Sequence, residues 1–251
     1  MSLILAHRGA SGYQPEMTKS AYELALSMGV DGLEADVRLT KDDVLVAIHD
    51  RNTKRVADKN LNISNSTYSQ LLDLNFFGEQ KYDGAFKILK LTELIDLALA
   101  SKKPLTLAIE AKHPSIKSFL LEKKIVQTLK DYKITNGKIG QLQIILMSFN
   151  LFAVKAFKKL LPDTPTVMLV EKNYPFLANF PTPGGAEYVG PGIELLNKNP
   201  KLYKKWRKKG KKFFIWTVDH PRDVKWCLEK GVEIFVSNYP DLSLKLRRES
   251  L

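Results

Sequence analysis

Three short apolar segments near the start of the chain carry polar residues: residues 3–9 (LILAHRG), 32–37 (GLEADV) and 44–50 (VLVAIHD). Their length and composition predict β-strands. A histidine follows the apolar part of the first and third segments, and two carboxylates lie within the second. Parallel strands that close into a barrel collect such side chains at one rim. The opening of the chain therefore predicts a barrel with its chemistry at the strand ends.

Strand and helix patterns alternate along the rest of the chain. Residues 18–28 place Ala21, Leu24 and Ala25 on one helical face, and Gly29 ends that pattern. Alternation of this kind favours a parallel sheet, and the number of strands favours closure. The predicted fold class is therefore α/β, a TIM (β/α)8 barrel with a small insertion after the third strand. Further strands are predicted at 105–109, 142–147, 166–170, 188–189, 213–218 and 234–236, and further helices at 91–100, 116–129, 151–161, 199–210 and 221–230.

Two stretches interrupt the alternation. Residues 51–90 follow the third predicted strand but do not lead directly to a barrel helix, and only 68–74 has a helical pattern. We interpret this polar stretch as a small insertion over the barrel mouth, within a single domain that spans residues 1–251. Residues 173–192 are rich in proline and glycine and predict an irregular loop region.

A pair of carboxylates is the strongest sign of a metal site. Glu34 and Asp36 lie two residues apart in a predicted strand, so both side chains point to one face. Adjacent carboxylates repel each other and are costly to bury unless a cation lies between them. Glu110, at the end of another strand, is expected at the same rim. Three carboxylates without cysteine suit one divalent cation, Mg²⁺ or Ca²⁺, rather than Zn²⁺. The alternative, two exposed charges, fits poorly with the apolar run around them.

The motifs, taken in order, resemble those of the glycerophosphodiester phosphodiesterase family. Each match is short, but an ordered set of independent matches along nearly the whole chain is specific. The resemblance implies a TIM-barrel enzyme that hydrolyses glycerophosphodiesters to sn-glycerol 3-phosphate and an alcohol, with one divalent cation. The matching segments are 7–9 (HRG), 15–18 (PEMT), 34–37 (EADV), 49–50 (HD), 109–112 (IEAK), 148–149 (SF), 216–218 (WTV) and 237–241 (SNYPD).

His7 and His49 are the candidate catalytic residues. Hydrolysis of a phosphodiester requires one proton to leave the nucleophile and another to reach the leaving alkoxide. Histidine is the side chain best matched to both transfers near neutral pH. The sequence leaves open which histidine is the acid; we prefer His7 as base or nucleophile and His49 as acid. His113 and His220 are interpreted as ordinary loop histidines.

Four further residues are candidates for binding the substrate. Arg8 offers a planar set of donors that suits phosphate oxygens, and Lys112 would add a positive charge at the same mouth. Glu16 either holds Arg8 in place or meets a substrate hydroxyl. Trp216 either walls the glycerol side of the site or packs in the core.

The sequence departs from the family pattern at three places. Met17 stands where the family usually has Asn, and Asn238 where an Asp is usual near the last strand. Asp43 takes the glycine position of a common Asp-Gly turn. None of these changes touches the proposed histidines or metal ligands, so the chemistry is expected to be retained, while substrate preference and metal affinity are left open.

Charge and composition bear on partners and location. The net charge is +12, and residues 201–212 hold eight lysines and arginines. Leu202 and Trp206 can face the core from this helix, so the lysines predict a solvated face, with weak contact to an anionic membrane surface as the alternative. Nucleic-acid binding is not indicated, because no basic strand is interleaved with aromatic residues. Nothing in the sequence indicates an oligomeric state.

The sequence predicts a cytoplasmic protein. It has no apolar stretch long enough to span a membrane and no apolar signal segment before His7. The one cysteine, Cys227, lies on a helical pattern and is interpreted as a packing residue.

Two other functions stay open at this point. One, within the same fold, is a lysophospholipase D-like activity on lysophospholipids, which the basic C-terminal region favours, or a related reaction in which a glycerol hydroxyl attacks before water and forms a cyclic phosphate. The other is a catalytically silent barrel that binds phosphorylated ligands. Loss of a histidine or an acidic ligand would favour the silent barrel, and none is lost.

Overall fold

Eight parallel strands close into a barrel in the computed structural model, which describes residues 1–114, 119–172 and 182–250. Each strand pairs with the next along the chain, and the last pairs with the first. The predicted TIM-barrel fold is confirmed. The barrel strands are β1 (Leu3–His7), β2 (Gly32–Leu39), β4 (Leu105–Ala111), β6 (Leu142–Ser148), β7 (Thr166–Val170), β8 (Tyr188–Pro191), β9 (Lys212–Ile215) and β10 (Ile234–Ser237).

Two short strands lie outside the parallel barrel. β3 (Leu45–Ala47) pairs antiparallel with β2, and β5 (Lys138–Ile139) pairs antiparallel with β6. The prediction that the segment before His49 is a barrel strand is therefore wrong. The physical reason is the connection, since a parallel crossover needs a dozen or more residues. Residues 40–44 instead form a tight turn in which the Thr40 N–H donates to the Val44 carbonyl, with Asp43 in the left-handed region at φ 61°.

Helices connect the barrel strands and pack on the outside of the barrel. The predicted helices are present with ends shifted by a few residues, except that the start of the one predicted at 116–129 lies outside the described residues. Two observed helices, α6 and α9, were not predicted. The leucines of α9 recur every second residue, which is not a helical spacing. The helices are α1 (Lys19–Met28), α2 (Tyr68–Leu72), α3 (Leu91–Leu99), α4 (Leu120–Asp131), α5 (Leu151–Leu160), α6 (Ile193–Lys198), α7 (Pro200–Lys208), α8 (Pro221–Glu229) and α9 (Pro240–Glu249).

The pleat of the strands divides their side chains between two cores. Alternate residues such as Leu5, Ala108 and Phe214 pack inside the barrel, while Leu33, Leu107 and their equivalents pack against the helices. Because side chains alternate along a strand, Glu34 and Asp36 share one face of β2, and its apolar residues occupy the other. Glu110 lies two residues after Ala108 on β4, and Ala108 packs inside the barrel, so both side chains are on the same face of the strand.

Residues 51–90 build a small apolar cluster of their own against β3. Val46 and Ile48 contribute to it from the β3 side, and Ile63, Leu71 and Phe76 from the segment itself. Its regular structure is limited to α2 and a 3₁₀ turn, Ile63–Asn65. The segment thereby rests on the hairpin that leads to His49.

The basic helix α7 and the single cysteine behave as the sequence suggests. Leu202, Tyr203 and Trp206 are buried on one side of α7, and its lysines are exposed on the other. Cys227 is fully buried in the core between helices and barrel. Within residues 1–114, 119–172 and 182–250, no helix is long and apolar enough to cross a lipid bilayer.

Candidate active site

Seven of the nine predicted site residues line one cavity at the carboxyl ends of the strands, and the other two, Glu16 and Asp36, contact Arg8 in its wall. The cavity has a volume of about 530 Å³. One wall is charged and the other is apolar, so the cavity suits a ligand with an anionic part and a less polar part. The charged wall consists of His7, Arg8, Glu34, Arg38, His49, Glu110 and Lys112; the apolar wall includes Met147, Phe149, Leu151, Met168, Phe214, Trp216 and Val236.

Glu34, Asp36 and Glu110 form a compact carboxylate triad. Asp36 lies directly opposite Glu110 in the pairing of β2 with β4. One ligand oxygen of each residue lies within 4.8 Å of the others, and all three residues are at most 5 % exposed. The strand register thus brings together residues 76 positions apart, as the sequence predicted.

Ionisation of all three carboxyl groups of the triad is unfavourable unless a cation binds between them. Burial and the charge of Asp36 raise the pKa of Glu34 to about 8, and the same two causes raise the pKa of Glu110 well above its usual range. Burial also opposes ionisation of Asp36, but Arg8 and Lys112 outweigh it and hold that pKa well below the usual range. The carboxyl groups of Glu34 and Glu110 therefore resist ionisation, and a divalent cation between the carboxylates would favour the ionised form of both.

One oxygen of the triad supports the same fit. Asp36 Oδ2 is buried without a hydrogen bond in the described part of the chain. Arg8 Nε lies 2.9 Å from it, but its N–H is not directed at the oxygen. Three carboxylates, one of them with a buried oxygen that accepts no hydrogen bond from the described residues, match the oxygen ligands that Mg²⁺ and Ca²⁺ prefer.

Two cations contact the triad directly. The Nζ of Lys112 lies 3.1 Å from Asp36 Oδ1 and 2.9 Å from Glu110 Oε1. The backbone N–H of Arg8 donates to Glu34 Oε2 at 3.1 Å. Arg8 and Lys112 thus lie at the carboxylates while also lining the cavity, where both can meet an anionic ligand.

His7 is held by Asn238, so the expectation that none of the departures from the family pattern touches the histidines is wrong. Its Nδ1 lies 2.7 Å from Asn238 Oδ1, and Asn238 Nδ2 donates to Asp219 Oδ2 at 2.7 Å. A carboxylate only accepts hydrogen bonds, so Asp219 fixes the orientation of the amide. Asn238 Oδ1 must then accept from His7, which places the imidazole proton on Nδ1 and leaves Nε2 free.

The remaining environment keeps His7 neutral. Burial and the nearby Arg8 lower its pKa to about 3. Nε2 lies 3.9 Å from Glu34 Oε2, beside the triad. Asp219 is a residue that sequence reasoning missed; the available signal is its place just after a predicted strand that ends in the 216–218 motif.

His49 reaches the cavity on the β3 hairpin. The N–H of Ile48 donates to the Asp36 carbonyl at 2.9 Å, which sets the next residue alongside the triad. His49 Nδ1 lies 2.6 Å from Asp50 Oδ1, and Arg38 Nε donates to the His49 carbonyl at 2.8 Å. Both the ring and the backbone of His49 are therefore fixed, and Nε2 has no hydrogen-bond partner among the residues that the structure describes.

Arg55, from the segment 51–90, ties this hairpin to the loop after β1. Its Nε donates to Asp50 Oδ2 at 2.7 Å, and its two terminal nitrogens each donate to Glu16 at 2.8 Å. Glu16 also accepts from Arg8 Nη1 at 3.3 Å. In this structure Glu16 holds Arg8, one of its two predicted roles. Arg55 was missed because its partner Glu16 is 39 positions away.

The apolar wall is built around Trp216 and Phe149. Their rings meet edge to face with centroids 5.4 Å apart, and Trp216 Nε1 donates to the Gly190 carbonyl at 2.7 Å. Trp216 therefore packs against its neighbours and also lines the cavity, so both predicted roles are compatible with its position.

Of the two histidines set aside as loop residues, one lines the site. His113 borders the cavity and lies 2.6 Å from Glu122 Oε1 through Nε2. His220 caps α8, because its Nδ1 accepts from the Arg222 N–H at 3.1 Å.

Comparison with known proteins identifies the family. The model of the glycerophosphoryl diester phosphodiesterase family matches residues 7–242. The chain belongs to this family. Among curated relatives, "Probable glycerophosphodiester phosphodiesterase 1" of Mycobacterium tuberculosis is 33% identical over 244 residues, which cover 94% of this chain and 89% of the relative. The glycerophosphodiester phosphodiesterase of Caldanaerobacter subterraneus is 29% identical, over 99% of this chain and 98% of its own.

Solved structures of glycerophosphodiester phosphodiesterases share the fold. A phosphodiesterase of Oleispira antarctica, solved in complex with the product sn-glycerol-3-phosphate, superposes with a TM-score of 0.85 at 22% identity, over 98% of this chain and 96% of its own. The enzyme from Thermotoga maritima has a TM-score of 0.74 at 21% identity, over 98% and 99% of the two chains. The family and fold predicted from the motifs are confirmed.

Met17, where members of the glycerophosphodiester phosphodiesterase family usually have Asn, is explained by packing. It is 2 % exposed and lies in the core between barrel and helices. Its φ of 57° is a left-handed conformation that Asn adopts more easily than Met. Met17 therefore adds buried apolar surface but adopts this backbone conformation less easily than Asn would. It does not line the cavity.

Proposed function

We propose that this protein hydrolyses glycerophosphodiesters to sn-glycerol 3-phosphate and an alcohol. The observation that carries the proposal is the joint placement of His7, His49, Glu34 and Glu110 around one cavity, with Asp36 directly opposite Glu110 and Nδ1 of each histidine already bonded. Membership of the family supports it, as does the product sn-glycerol-3-phosphate bound by the Oleispira antarctica phosphodiesterase of the same fold.

In the proposed reaction the two histidines move protons on opposite sides of the phosphate. His7 Nε2 accepts the proton of the attacking water as the new P–O bond forms. His49 donates its Nε2 proton to the alkoxide oxygen as the other P–O bond breaks. Burial and Arg8 lower the pKa of both histidines. The partners favour this assignment, because the carboxylate of Asp50 opposes that lowering at His49, whereas His7 contacts the neutral amide of Asn238.

Charge on the phosphate is balanced by residues of the charged wall. Glu34, Asp36 and Glu110 would hold one Mg²⁺ or Ca²⁺, which when bound offsets negative charge on the phosphoryl oxygens. Arg8 and Lys112 add two donors on the same side of the cavity. Lys112 pairs with Asp36 and Glu110 and also lines the cavity, so its ammonium group lies where it can contact a phosphate oxygen.

The test is hydrolysis of glycerophosphocholine after removal of metal with a chelator. We expect release of sn-glycerol 3-phosphate and choline only after Mg²⁺ or Ca²⁺ is restored, and much slower release by His49→Ala. Full activity in excess chelator would exclude the metal site. Binding of the diester without any turnover would favour the silent barrel instead.

One observation favours a second candidate, hydrolysis of lysophospholipids. The apolar wall continues into an open groove of about 660 Å³ through His113, Phe149 and Leu151, which line both spaces. Phe152 and Phe119, which both line the groove, are 63% and 45% exposed, so the groove presents apolar surface to solvent. An acyl chain attached to the glycerol could lie in this groove while the phosphate occupies the charged wall.

Lysophosphatidylcholine distinguishes the two candidates. If the groove holds an acyl chain, Phe152→Ser should lower kcat/KM for release of choline from lysophosphatidylcholine and leave that for glycerophosphocholine unchanged. An equal effect on both substrates, or no choline from the lysolipid, would count against the second candidate.

We also propose that the protein acts in the cytoplasm and that residues 51–90 are an insertion at the mouth of a single barrel domain. The ion pairs of Arg55 with Glu16 and Asp50 support the second point, because they tie the segment to the rim. Cell fractionation tests the first, and recovery of most of the native protein outside the cell would contradict it.

A further inference from the structure

A smaller cavity of about 190 Å³ lies directly beside the active-site cavity. Arg38 and Lys112 line both spaces, so the two are neighbours with a common wall. We call it the Arg51 pocket and define it by Arg38, Arg51, Asn62, Ser64 and Lys112. It is formed by the end of β2, the residues after His49, the 3₁₀ turn and the loop after β4.

Two arginines in this pocket differ from the other cations of the site. Arg8, Arg55 and Lys112 each have a carboxylate within 4.0 Å. Across the ranges that the structure describes, neither Arg38 nor Arg51 forms an ion pair. Arg38 is fixed through its Nε, which donates to the His49 carbonyl, and its two terminal nitrogens donate to no partner among the described residues.

The remaining lining of the pocket is suited to an anion. None of the described residues that line it is acidic. The Ser64 N–H donates to Asn62 Oδ1 at 3.1 Å, so the side-chain Nδ2 of Asn62 points away from Ser64. Two guanidinium groups that face one space repel each other, and a phosphate between them would accept hydrogen bonds from both.

We propose that the Arg51 pocket binds a second phosphate group, carried on the alcohol part of the substrate. This proposal rests on the proposed function and narrows it to glycerophosphodiesters whose leaving alcohol is itself phosphorylated. The scissile phosphate would lie between His7 and His49, and Arg38 on the common wall would separate the two anionic groups. Arg51 then determines specificity without taking part in the chemistry.

Two substrates that differ by one group provide the test. Bis(glycerophospho)glycerol carries a second phosphodiester on its leaving alcohol, and glycerophosphoglycerol does not. Arg51→Gln should lower kcat/KM for the first by roughly threefold to tenfold, or about 0.7–1.4 kcal/mol, and leave that for the second within about twofold. The loss should shrink as the salt concentration is raised, since Arg51 is exposed.

Lys54→Gln is the matched control. Lys54 is exposed, belongs to the same segment and does not line the pocket, so the variant removes the same charge at a different place. It should leave both rates unchanged. Equal losses on both substrates in Arg51→Gln, or equal losses in the two variants, would show only a general attraction and would overturn the proposal.

A binding measurement separates this proposal from the proposed function. If wild-type protein hydrolyses neither diester, the proposed function fails, and calorimetric titration of both diesters then decides the pocket alone. We expect Arg51→Gln to weaken binding of bis(glycerophospho)glycerol and not of glycerophosphoglycerol. No difference between the two ligands in wild-type protein would refute the pocket.

Discussion

Replacing Asp219 with Asn tests whether His7 is held in one tautomer from a distance. Asp219 accepts three hydrogen bonds: from Ser237 Oγ at 2.9 Å, from the Asn238 N–H at 2.7 Å and from Asn238 Nδ2 at 2.7 Å. Asn at position 219 keeps only one acceptor oxygen. The side-chain NH2 of the introduced Asn then faces Asn238 Nδ2, so that two hydrogen-bond donors oppose each other.

The expected response is a flip of the Asn238 amide. Asn238 Nδ2 would then face His7 Nδ1, which must become an acceptor, so the imidazole proton moves to Nε2. His7 can no longer accept a proton from water at Nε2. Loss of a positioned base typically costs ~10²–10⁴ in rate, or about 2.7–5.4 kcal/mol in activation free energy. We expect Asp219→Asn to lower kcat into this range while KM for glycerophosphocholine stays within about threefold, since a residue that acts through His7 changes chemistry rather than binding.

The double variant Asp219→Asn with Asn238→Asp is the decisive control. The exchange restores an acceptor beside His7 Nδ1 and a donor–acceptor pair between positions 219 and 238. It should recover most of the lost kcat, and the ¹⁵N shifts of the His7 ring should return to the wild-type tautomer. A single variant with kcat within about threefold of wild type would refute the reasoning, as would a double variant no better than the single one in a protein that remains folded.

Two further predictions concern the histidine pair and the carboxylate triad. His7→Ala and His49→Ala should each lower kcat by ~10² or more. In the double variant the factor by which kcat falls should be far smaller than the product of the two single factors, because groups that act as a unit are not additive. Factors that multiply would mean that the two histidines have independent roles. In chelator, the pKa of Glu34 is about 8 in the folded protein, against an ordinary value of 4.5. Between these two pH values the folded protein holds a proton that the unfolded chain has released. The free energy of unfolding should therefore fall as the pH rises through this window. Thermal unfolding should therefore show Tm decreasing from about pH 5 to about pH 8 in chelator and a smaller decrease with Mg²⁺; the same slope with and without metal would exclude Glu34 as a ligand.

The residues that sequence reasoning placed correctly owe their positions to strand periodicity. Glu34 and Asp36 share a face because side chains alternate along β2, and Glu110 joins them because β4 is the parallel neighbour of β2. Both conditions follow from local patterns and from the order of strands in a barrel. The position of the triad was therefore predictable without knowledge of any tertiary contact.

The residues that were missed depend on side-chain contacts between distant loops. Arg55 lies in a polar segment without periodicity, and nothing local indicates that it contacts Glu16 and Asp50. Asp219 acts through Asn238, 19 positions away. His49 was placed at the correct rim for the wrong reason, because a short apolar run of β-type residues does not show whether a strand is parallel or antiparallel.

The antiparallel pairing of β3 has a consequence for how this site can change over evolutionary time. The barrel closes through its eight parallel strands, and β3 pairs with β2 alone among them, outside that closed ring. His7 belongs to the ring itself, whereas His49 is carried on an appendage. Insertions in the turn at 40–44 or in the segment 51–90 can therefore shift one proton-transfer group relative to the other without opening a single hydrogen bond of the ring. The scaffold and one half of its catalytic pair can thus diverge at different rates.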